Sequence, residues 1–248
     1  MCGISGLVHK AAGLAVYGYK YNGKMYLKHL RNKGMRIGSG TVLFNAKMTT
    51  IDESDPQMII IGKNVQITGG VVILSHDYGW AVTKAVYGDV LGSVRPVSIG
   101  DNVYIGMNAM ILAGSRIGSN VIIGANSVVS GTIPDNCVAV GSPCRKVYDI
   151  DEYHKKRQAA QLSEAVTMAQ YYFDCYGHKP PETVFSEHFW LWTNDQSGLP
   201  ELFSKQNNLM PGSEESTWRK FKYHNPIFNS FNDFLDFALE QNGLQGIE

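Results

Sequence analysis

One histidine of the sequence stands out as a candidate general base. His76, in the segment LSHDYGW, is the only histidine between residues 34 and 148. An imidazole ordinarily titrates near pH 6.5, with a pKa of about 6.5, so at neutral pH it can accept a proton from a hydroxyl group. Three residues shortly after it have side chains that can stack on a sugar or hold a hydroxyl or an anion: Tyr78, Trp80 and Arg95.

His76 and the residues after it can also have purely structural roles. Histidine is enriched at positive φ, so His76 can also be a corner residue in a repeating fold. The aromatic and cationic residues after it lie in a segment that interrupts a repeat, residues 78–96, and they can serve only to hold that loop in place.

The elements that must position these side chains follow a period of six residues. The first residue of each hexad is aliphatic, the fifth is small or β-branched, and the fourth is usually Asn or Gly, the residues that tolerate positive φ. Such a chain turns a corner every six residues and builds a prism of short parallel strands, whereas a helix or a sandwich needs other apolar spacings. The hexads are IGSGTV and LFNAKM from Ile37, IGKNVQ, ITGGVV and ILSHDY from Ile61, and IGDNVY, IGMNAM, ILAGSR, IGSNVI, IGANSV and VSGTIP from Ile99.

The composition divides the chain into two architectures. Residues 1–148 hold 21 of the 26 glycines, and nine of the ten phenylalanines come later. We expect a mainly β fold: a cap segment over 1–33, a β-helix of about five coils over 34–148 with the inserted loop 78–96, and a helical, aromatic-rich extension over 149–248. Within the extension, Asp149 or Asp151 can cap a helix of about 25 residues, and a short helix begins near Ser230. The apolar stripe predicted for the long helix is Ala159, Leu162, Val166, Ala169, Phe173 and Tyr176.

Charge and cysteine usage exclude several classes of protein. Lys and Arg number 22, as do Asp and Glu, and this balance argues against a dedicated nucleic-acid binder. The four cysteines form no C-x-x-C pair or metal-ligand spacing, which favours reduced thiols in a cytoplasmic protein without a metal site. No segment reaches the length of a membrane span, and the start lacks the basic region of a signal peptide.

The repeats, the histidine-bearing LSHDYGW, the interruption and the closing VGSPCRKV together resemble the hexapeptide-repeat acyltransferases. The similarity covers residues 34–148 and is strongest to the O-acetyltransferases of bacterial surface-polysaccharide biosynthesis, with galactoside, maltose, serine and xenobiotic acetyltransferases as wider relatives. The resemblance implies a left-handed parallel β-helix, a homotrimer with its active sites between subunits, and acetyl-CoA as the acyl donor.

The resemblance also implies roles for individual residues. His76 would deprotonate an acceptor hydroxyl, which attacks the thioester directly, and the backbone N–H of Met107 would stabilise the oxyanion. This chain has Tyr104 where galactoside enzymes often have Trp, and Met107 where they have Ser. Cofactor contacts map to Gly106, Gly124, Ala125, Arg145 and Lys146, and acceptor contacts to Asn45 and to the position of Tyr104. The remaining candidates for the acceptor site follow from the residues themselves: Tyr78, Trp80 and Arg95 of the inserted loop, and Asp77 beside His76.

Several of these assignments have simpler alternatives. Asp77 adjoins His76 and is the candidate to orient it, Asn45 can be only a polar side chain beside a corner, and Arg145 and Lys146 can be a solvated end of the prism. The leading function is O-acetylation of a sugar or polysaccharide precursor, with a xenobiotic O-acetyltransferase or a non-catalytic scaffold as alternatives. A γ-type carbonic anhydrase would need three zinc histidines from neighbouring coils, where this sequence has one.

Overall fold

The computed structural model describes residues 13–197 and 199–240 and divides the chain into two compact units, Met1–Tyr153 and His154–Glu248. This boundary lies just beyond the junction expected at residue 149. The first twelve residues of the expected cap segment, including Cys2, and the last eight of the extension lie outside the described residues.

Short parallel strands form three sheets in the first unit, as the hexads predict. The first sheet has the order β1 (Arg36–Ile37), β4 (Ile59–Ile61), β9 (Val97–Ile99), β12 (Arg116–Ile117) and β15 (Thr132–Ile133). The second has the order β17 (Arg145–Asp149), β16 (Cys137–Val140), β13 (Val121–Ile123), β10 (Val103–Ile105), β5 (Gln66–Ile67) and β2 (Val42–Leu43). The third has the order β14 (Val128–Val129), β11 (Met110–Ile111), β6 (Val72–Ile73) and β3 (Thr50–Ile51). β7 (His76–Asp77) and β8 (Ser93–Val94) form a separate antiparallel pair.

The core of the prism consists of equivalent hexad positions stacked on one another. Ile105 pairs with Ile67 on one side and with Ile123 on the other, and all three side chains are buried. Fully burying an aliphatic side chain of this size contributes about 1.5–3 kcal/mol, so the stacked column is a large source of stability. The fifth positions are also buried: Val65, Val71, Val103, Ala109, Ser115, Val121 and Ser127.

Asparagines turn one edge of the prism and also bond one coil to the next. Their backbones have positive φ, and each side-chain amide donates to the next asparagine along the axis. The bonds of this asparagine ladder run from Asn64 to Asn102 at 3.2 Å, from Asn102 to Asn120 at 3.0 Å and from Asn120 to Asn136 at 2.8 Å. A glycine would allow the same corner but would lose these bonds.

Both ends of the stack are closed by the chain itself. Residues 13–17 are helical, a 3-10 turn covers Gly18–Tyr21, and α1 (Gly23–Asn32) buries Tyr26 and Leu30 in the core of the prism. From α1, Arg31 donates hydrogen bonds of 3.1 and 3.0 Å to the carbonyl oxygens of Ile37 and Gly38, at the free edge of β1. At the other end, β17 reverses direction and pairs antiparallel with β16.

The expected inserted loop contains a helix that the sequence pattern did not predict. α2 (Trp80–Tyr87) lies within it and ends at Gly88, whose φ of 92° is the left-handed conformation favoured by glycine. A further 3-10 turn, Pro56–Met58, lies in the irregular stretch between β3 and β4.

The second unit is helical, as the extension was expected to be. α3 (Ile150–Tyr176) begins in the first unit, and the backbone N–H of Asp149 donates to Glu152 Oε2 at 2.9 Å, which places Asp149 at its N-cap. The 3-10 turns Glu182–Phe185 and Phe189–Leu191 follow, then α4 (Glu201–Asn207), α5 (Glu214–Tyr223) and α6 (Phe231–Glu240).

Phenylalanines from these helices and turns form the core of the second unit. Phe185, Phe189, Phe203, Phe221 and Phe234 are all buried.

The predicted apolar stripe on α3 is only partly correct. Ala169 is buried as expected, but the other fully buried residue is Ala165, while Phe173 and Tyr176 are 39% and 61% exposed. The phenylalanines and tryptophan of the core come from the later turns and helices, and α3 packs Ala165, Ala169 and the partly buried Val166 and Met168 against them, so Val166 also meets the core as predicted.

Cys137, Cys144 and Cys175 are free thiols. Burial raises the pKa of the Cys137 and Cys144 thiols, so neither is a ready nucleophile. Among residues 13–197 and 199–240, no helix combines the length and apolar character that crossing a membrane requires.

We expect Asn120→Ala to destabilise the first unit more than Asn120→Gly does. Both variants lose the ladder bonds to Asn102 and Asn136, but alanine also adopts the left-handed backbone at a cost of about 1 kcal/mol. Urea unfolding measures the difference, with Asn229→Ala as the control for removing an exposed amide. Equal stability of the two Asn120 variants would contradict the role assigned to the corner backbone.

Candidate active site

The point where the chain leaves the prism and returns to it positions His76. After β6, Ser75 is fully buried, and its carbonyl oxygen accepts a 2.8 Å hydrogen bond from the backbone N–H of Arg95. Between these two residues, His76 pairs with Val94 in the β7–β8 ladder. The histidine is therefore held on extended backbone, and the alternative that it merely turns a corner at positive φ is wrong.

A buried carboxylate from the preceding coil contacts the histidine ring. Asp52 follows β3, which pairs with β6, and its Oδ2 lies 2.5 Å from His76 Nδ1. The same oxygen accepts bonds from the hydroxyl group of Ser75 at 2.6 Å and from its backbone N–H at 3.1 Å. The other oxygen, Oδ1, accepts from the backbone N–H of Ser54 at 3.0 Å. Apart from the histidine ring, each of these groups is a hydrogen-bond donor to the carboxylate.

These donors set the charge of Asp52. Burial by itself raises the pKa of the carboxyl group, but the hydrogen bonds from Ser75, Ser54 and His76 outweigh it and hold the pKa well below its usual range. An ionised carboxylate only accepts hydrogen bonds, so Nδ1 of His76 must carry the hydrogen in this contact. The lone pair of the neutral ring is then on Nε2, where it can accept a proton.

Asp77 does not orient His76, contrary to the sequence-based expectation. Its Oδ1 accepts a 2.9 Å hydrogen bond from the backbone N–H of Gly79, and its Oδ2 accepts one of 2.9 Å from the hydroxyl group of Ser93. Successive side chains of a strand point to opposite faces, so Asp77 is turned away from the ring beside it. Its carboxylate instead fixes the start and the end of the insertion.

Sequence reasoning missed Asp52 because the repeat register shifts within the irregular stretch that contains it. Ile37 and Ile61 pair 24 residues apart in the first sheet, whereas Ile51 and Ile73 pair 22 residues apart in the third. The 24 residues between Asp52 and His76 are therefore not the offset of the strands that bring them together, and only the folded structure shows their contact.

The aromatic residues of the insertion lie beside the histidine. Tyr78 is edge-on to the His76 ring, with centroids 5.3 Å apart and planes at 81°, and Trp80 lies 6.1 Å from Tyr78. Tyr78 is 68% exposed, so its ring is available to a ligand. The Arg95 side chain lies against the corner at Gly114, which has no side chain of its own.

The other two predicted acceptor contacts lie on the second sheet. Tyr104 is in β10 and its side chain is exposed. Asn45 follows β2, and its carbonyl oxygen accepts a 2.7 Å hydrogen bond from the hydroxyl group of Thr49.

The backbone N–H groups of Gly69, Met107 and Ala125, at stacked corners on one edge of the prism, have no partner in the described part of the chain. The corresponding N–H groups of Lys63 and Ser119, on another edge, donate to aspartate carboxylates at 2.7 and 2.6 Å. Gly106 lies over the Ala125 amide so closely that a Cβ added there would be 2.6 Å from its nitrogen. Stacked, unpaired donors of this kind suit an oxyanion and the amide groups of an extended ligand.

The two basic residues near the end of the prism differ in their partners. Lys146 Nζ lies 2.5 Å from Asp149 Oδ1, and this pairing raises the lysine pKa. Arg145 donates one 2.8 Å bond to the carbonyl oxygen of Cys144 and is otherwise exposed. Arg145 is therefore better suited than Lys146 to hold a phosphate.

Comparison with known proteins supports the assignment of the repeats. The family model for the bacterial transferase hexapeptide (six repeats) matches residues 96–131. Protein CapG of Staphylococcus aureus is 36% identical over 127 residues, which are 51% of this chain and 73% of CapG. Galactoside O-acetyltransferase of Lactococcus lactis is 35% identical over 48% of this chain, but the match spans only 56% of that enzyme. The crystal structure of a maltose O-acetyltransferase from Clostridium difficile matches 51% of this chain and 75% of its own, with 29% identity and a TM-score of 0.37.

We expect Asp52→Asn to weaken the dependence of stability on acidic pH. Because the folded pKa of Asp52 lies below its unfolded value of about 3.9, its ionised form contributes stability that is present above that value. This contribution is lost as pH falls through the folded pKa. On acidification from about pH 5 towards about pH 1, the free energy of unfolding of the wild type should therefore fall by roughly 2 kcal/mol more than that of the variant.

Urea unfolding at a series of pH values measures this difference. The control is Asp89→Asn, which removes an exposed carboxylate from the insertion. If wild type and Asp52→Asn lost stability in parallel, the hydrogen bonds around Asp52 would not depress its pKa.

Proposed function

Because the chain belongs to the bacterial hexapeptide-repeat transferases and is an acyltransferase, we propose that it moves an acetyl group from acetyl-CoA to a hydroxyl group of a saccharide. The observation that carries the proposal is the contact between the buried Asp52 carboxylate and His76 Nδ1. The sugar acceptor is supported by the similarity to a galactoside O-acetyltransferase and by the exposed aromatic ring of Tyr78 beside the histidine.

In this mechanism His76 acts first as a base and then as an acid. Nε2 takes the proton of the acceptor hydroxyl as its oxygen attacks the thioester carbonyl. Asp52 stabilises the imidazolium that forms, and the backbone N–H of Met107 donates to the oxyanion. When the tetrahedral intermediate collapses, the C–S bond breaks, and the imidazolium returns its proton to the leaving CoA thiolate.

The cofactor arm would lie along the edge that carries the free amides. Under this proposal Ala125, beside Gly124, donates to the pantetheine chain, and Arg145 holds a phosphate of CoA. Lys146 contributes less because Asp149 already neutralises it. We also propose that the prism of the first unit winds with a left hand and contains about five coils.

We also propose that the protein is a trimer, with the insertion covered by a neighbouring copy. Five apolar residues of the insertion are each more than 60% exposed within a single chain: Val82, Val86, Tyr87, Val90 and Leu91. Val82 and Val86 are one turn apart on α2, and exposed apolar residues grouped in one segment mark an interaction surface. A partner seated here would also lie near His76, since the insertion begins beside it.

We expect His76→Ala to lower kcat by about 10²–10⁴-fold while the Kd for acetyl-CoA stays within about threefold of wild type. Asp52→Asn should lower kcat as well and shift its pH profile, because it acts through the histidine. CoA release with galactosides, maltose and an antibiotic alcohol as acceptors measures turnover, and calorimetry measures donor binding. His178→Ala, which removes an exposed histidine from the second unit, is the control.

The outcomes of this experiment separate the alternatives. Unchanged turnover of His76→Ala would remove the histidine from the mechanism. Transfer to the antibiotic alcohol alone would identify a xenobiotic acetyltransferase. A wild-type protein that binds no acetyl-CoA would point to another acyl donor or to a scaffold that has lost its chemistry.

We expect sedimentation equilibrium to give three times the chain mass for the wild type and a smaller species for Val86→Glu. A carboxylate in place of this valine would be buried without a partner in the proposed interface. Leu202→Glu, an exposed apolar position on α4, controls for the change in charge. A wild-type monomer at micromolar concentration would refute the trimer.

A further inference from the structure

The helical second unit contains a cleft that the proposed acetyl transfer does not use. Its volume is about 500 Å³, within the range of small-molecule sites. One wall is a face of α3, where the spacing of three and four residues brings His154, Arg157, Gln158 and Gln161 to the same side. The opposite wall comes from the turn around Trp190, from the end of α5, and from the segment after it.

The floor of the cleft is aromatic and held in place by hydrogen bonds. Trp190 Nε1 donates to Asn207 Oδ1 at 3.2 Å, and the indole ring packs against Phe221 and His224 with centroids 5.1 and 4.8 Å away. His224 is fixed in turn, because its two ring nitrogens lie 2.5 and 2.7 Å from the carbonyl oxygens of Phe221 and Trp190. The cleft therefore needs little rearrangement to bind a ligand.

The rim carries amide side chains without partners. In the described part of the chain, the side-chain amides of Gln158, Gln161 and Asn225 make no hydrogen bond, and all three line the cleft. An amide both donates and accepts, which is the combination that a hydroxyl group needs. An aromatic floor beneath such a rim suits a ring with one C–H face and an edge of hydroxyl groups.

The charges in the cleft disfavour the main alternatives to a sugar. Arg157 is paired with both oxygens of Glu164 at 2.7 and 2.5 Å, and the carboxylate of Glu187 lies in the cleft together with Lys220. A phosphate would meet one uncommitted ammonium group and a like-charged carboxylate. A purely apolar ligand would bury the rim amides without hydrogen bonds, at a cost of about 1–3 kcal/mol each.

We propose that this cleft is a saccharide-binding site, separate from the catalytic histidine, that holds one or two sugar units. The inference goes beyond acetyl transfer. The site itself is argued from the cleft alone, and only its role in acetylation rests on the proposed function, in which the acceptor is a saccharide. Retention of a sugar here would give a polymeric acceptor a second point of attachment to the enzyme and raise its effective concentration.

Calorimetric and ligand-observed NMR titrations of the full-length protein test the site, with the uncharged sugars lactose, chitobiose and maltose as probes. We expect at least one probe to bind to wild type and to His76→Ala with equal affinity. The double variant Gln158→Ala/Gln161→Ala and the single variant Asn225→Ala should each weaken that binding about tenfold. Gln206→Ala, which removes an amide elsewhere in the same unit, should leave it unchanged.

These rim positions are chosen because a Trp190 variant can fail to fold. No binding of any probe at millimolar concentration would overturn the proposal, and so would binding that survives loss of the rim amides. If the protein bound a sugar through the rim amides but transferred no acetyl group, the proposed function would be rejected and the proposed sugar site would still hold.

Discussion

Stacking each coil on the previous one in fixed register is the constraint on which the first unit depends. The paired isoleucines form the core only if the first position of every hexad faces inward, and a slip of one residue would turn the whole column outward. The corners obey the same constraint, because each asparagine must lie above the last for its amide to reach the next carbonyl oxygen. Hydrophobic burial, backbone pairing and the asparagine ladder therefore all specify a single register.

That register also assembles the candidate active site. Asp52 and His76 are 24 residues apart, yet stacking of β3 and β6 places them on consecutive coils with their side chains in contact. The carboxylate is buried and surrounded by donors, so it is both ionised and immobile. A rigid fold thus supplies two needs of general base catalysis, a defined ring orientation and a fixed site for the lone pair. The insertion leaves the prism beside this pair, where the regular spacing is interrupted.

The sequence was most informative where a residue has one structural task. The inward isoleucines, the asparagine corners and the aromatic core of the second unit follow from residue type and spacing alone. The partner of His76 did not follow, because proximity in the chain favoured Asp77, whereas strand alternation turns that side chain away. The helix at Trp80–Tyr87 was missed because its exposed apolar residues show no helical stripe. Phe173 and Tyr176 were expected inside, but the neighbouring phenylalanines already fill that core.

The closed ends of the prism keep separate molecules from stacking end to end. Stacked parallel strands about 4.8 Å apart are also the backbone arrangement of an amyloid fibril, and each terminal coil would be a template for further growth. The two guanidinium bonds from Arg31 occupy carbonyl oxygens at one such edge, and the reversal of β17 covers another with a strand of opposite direction. Elongation is thereby blocked through the hydrogen bonds themselves, and the chain keeps the stability of a cross-β stack at a finite length.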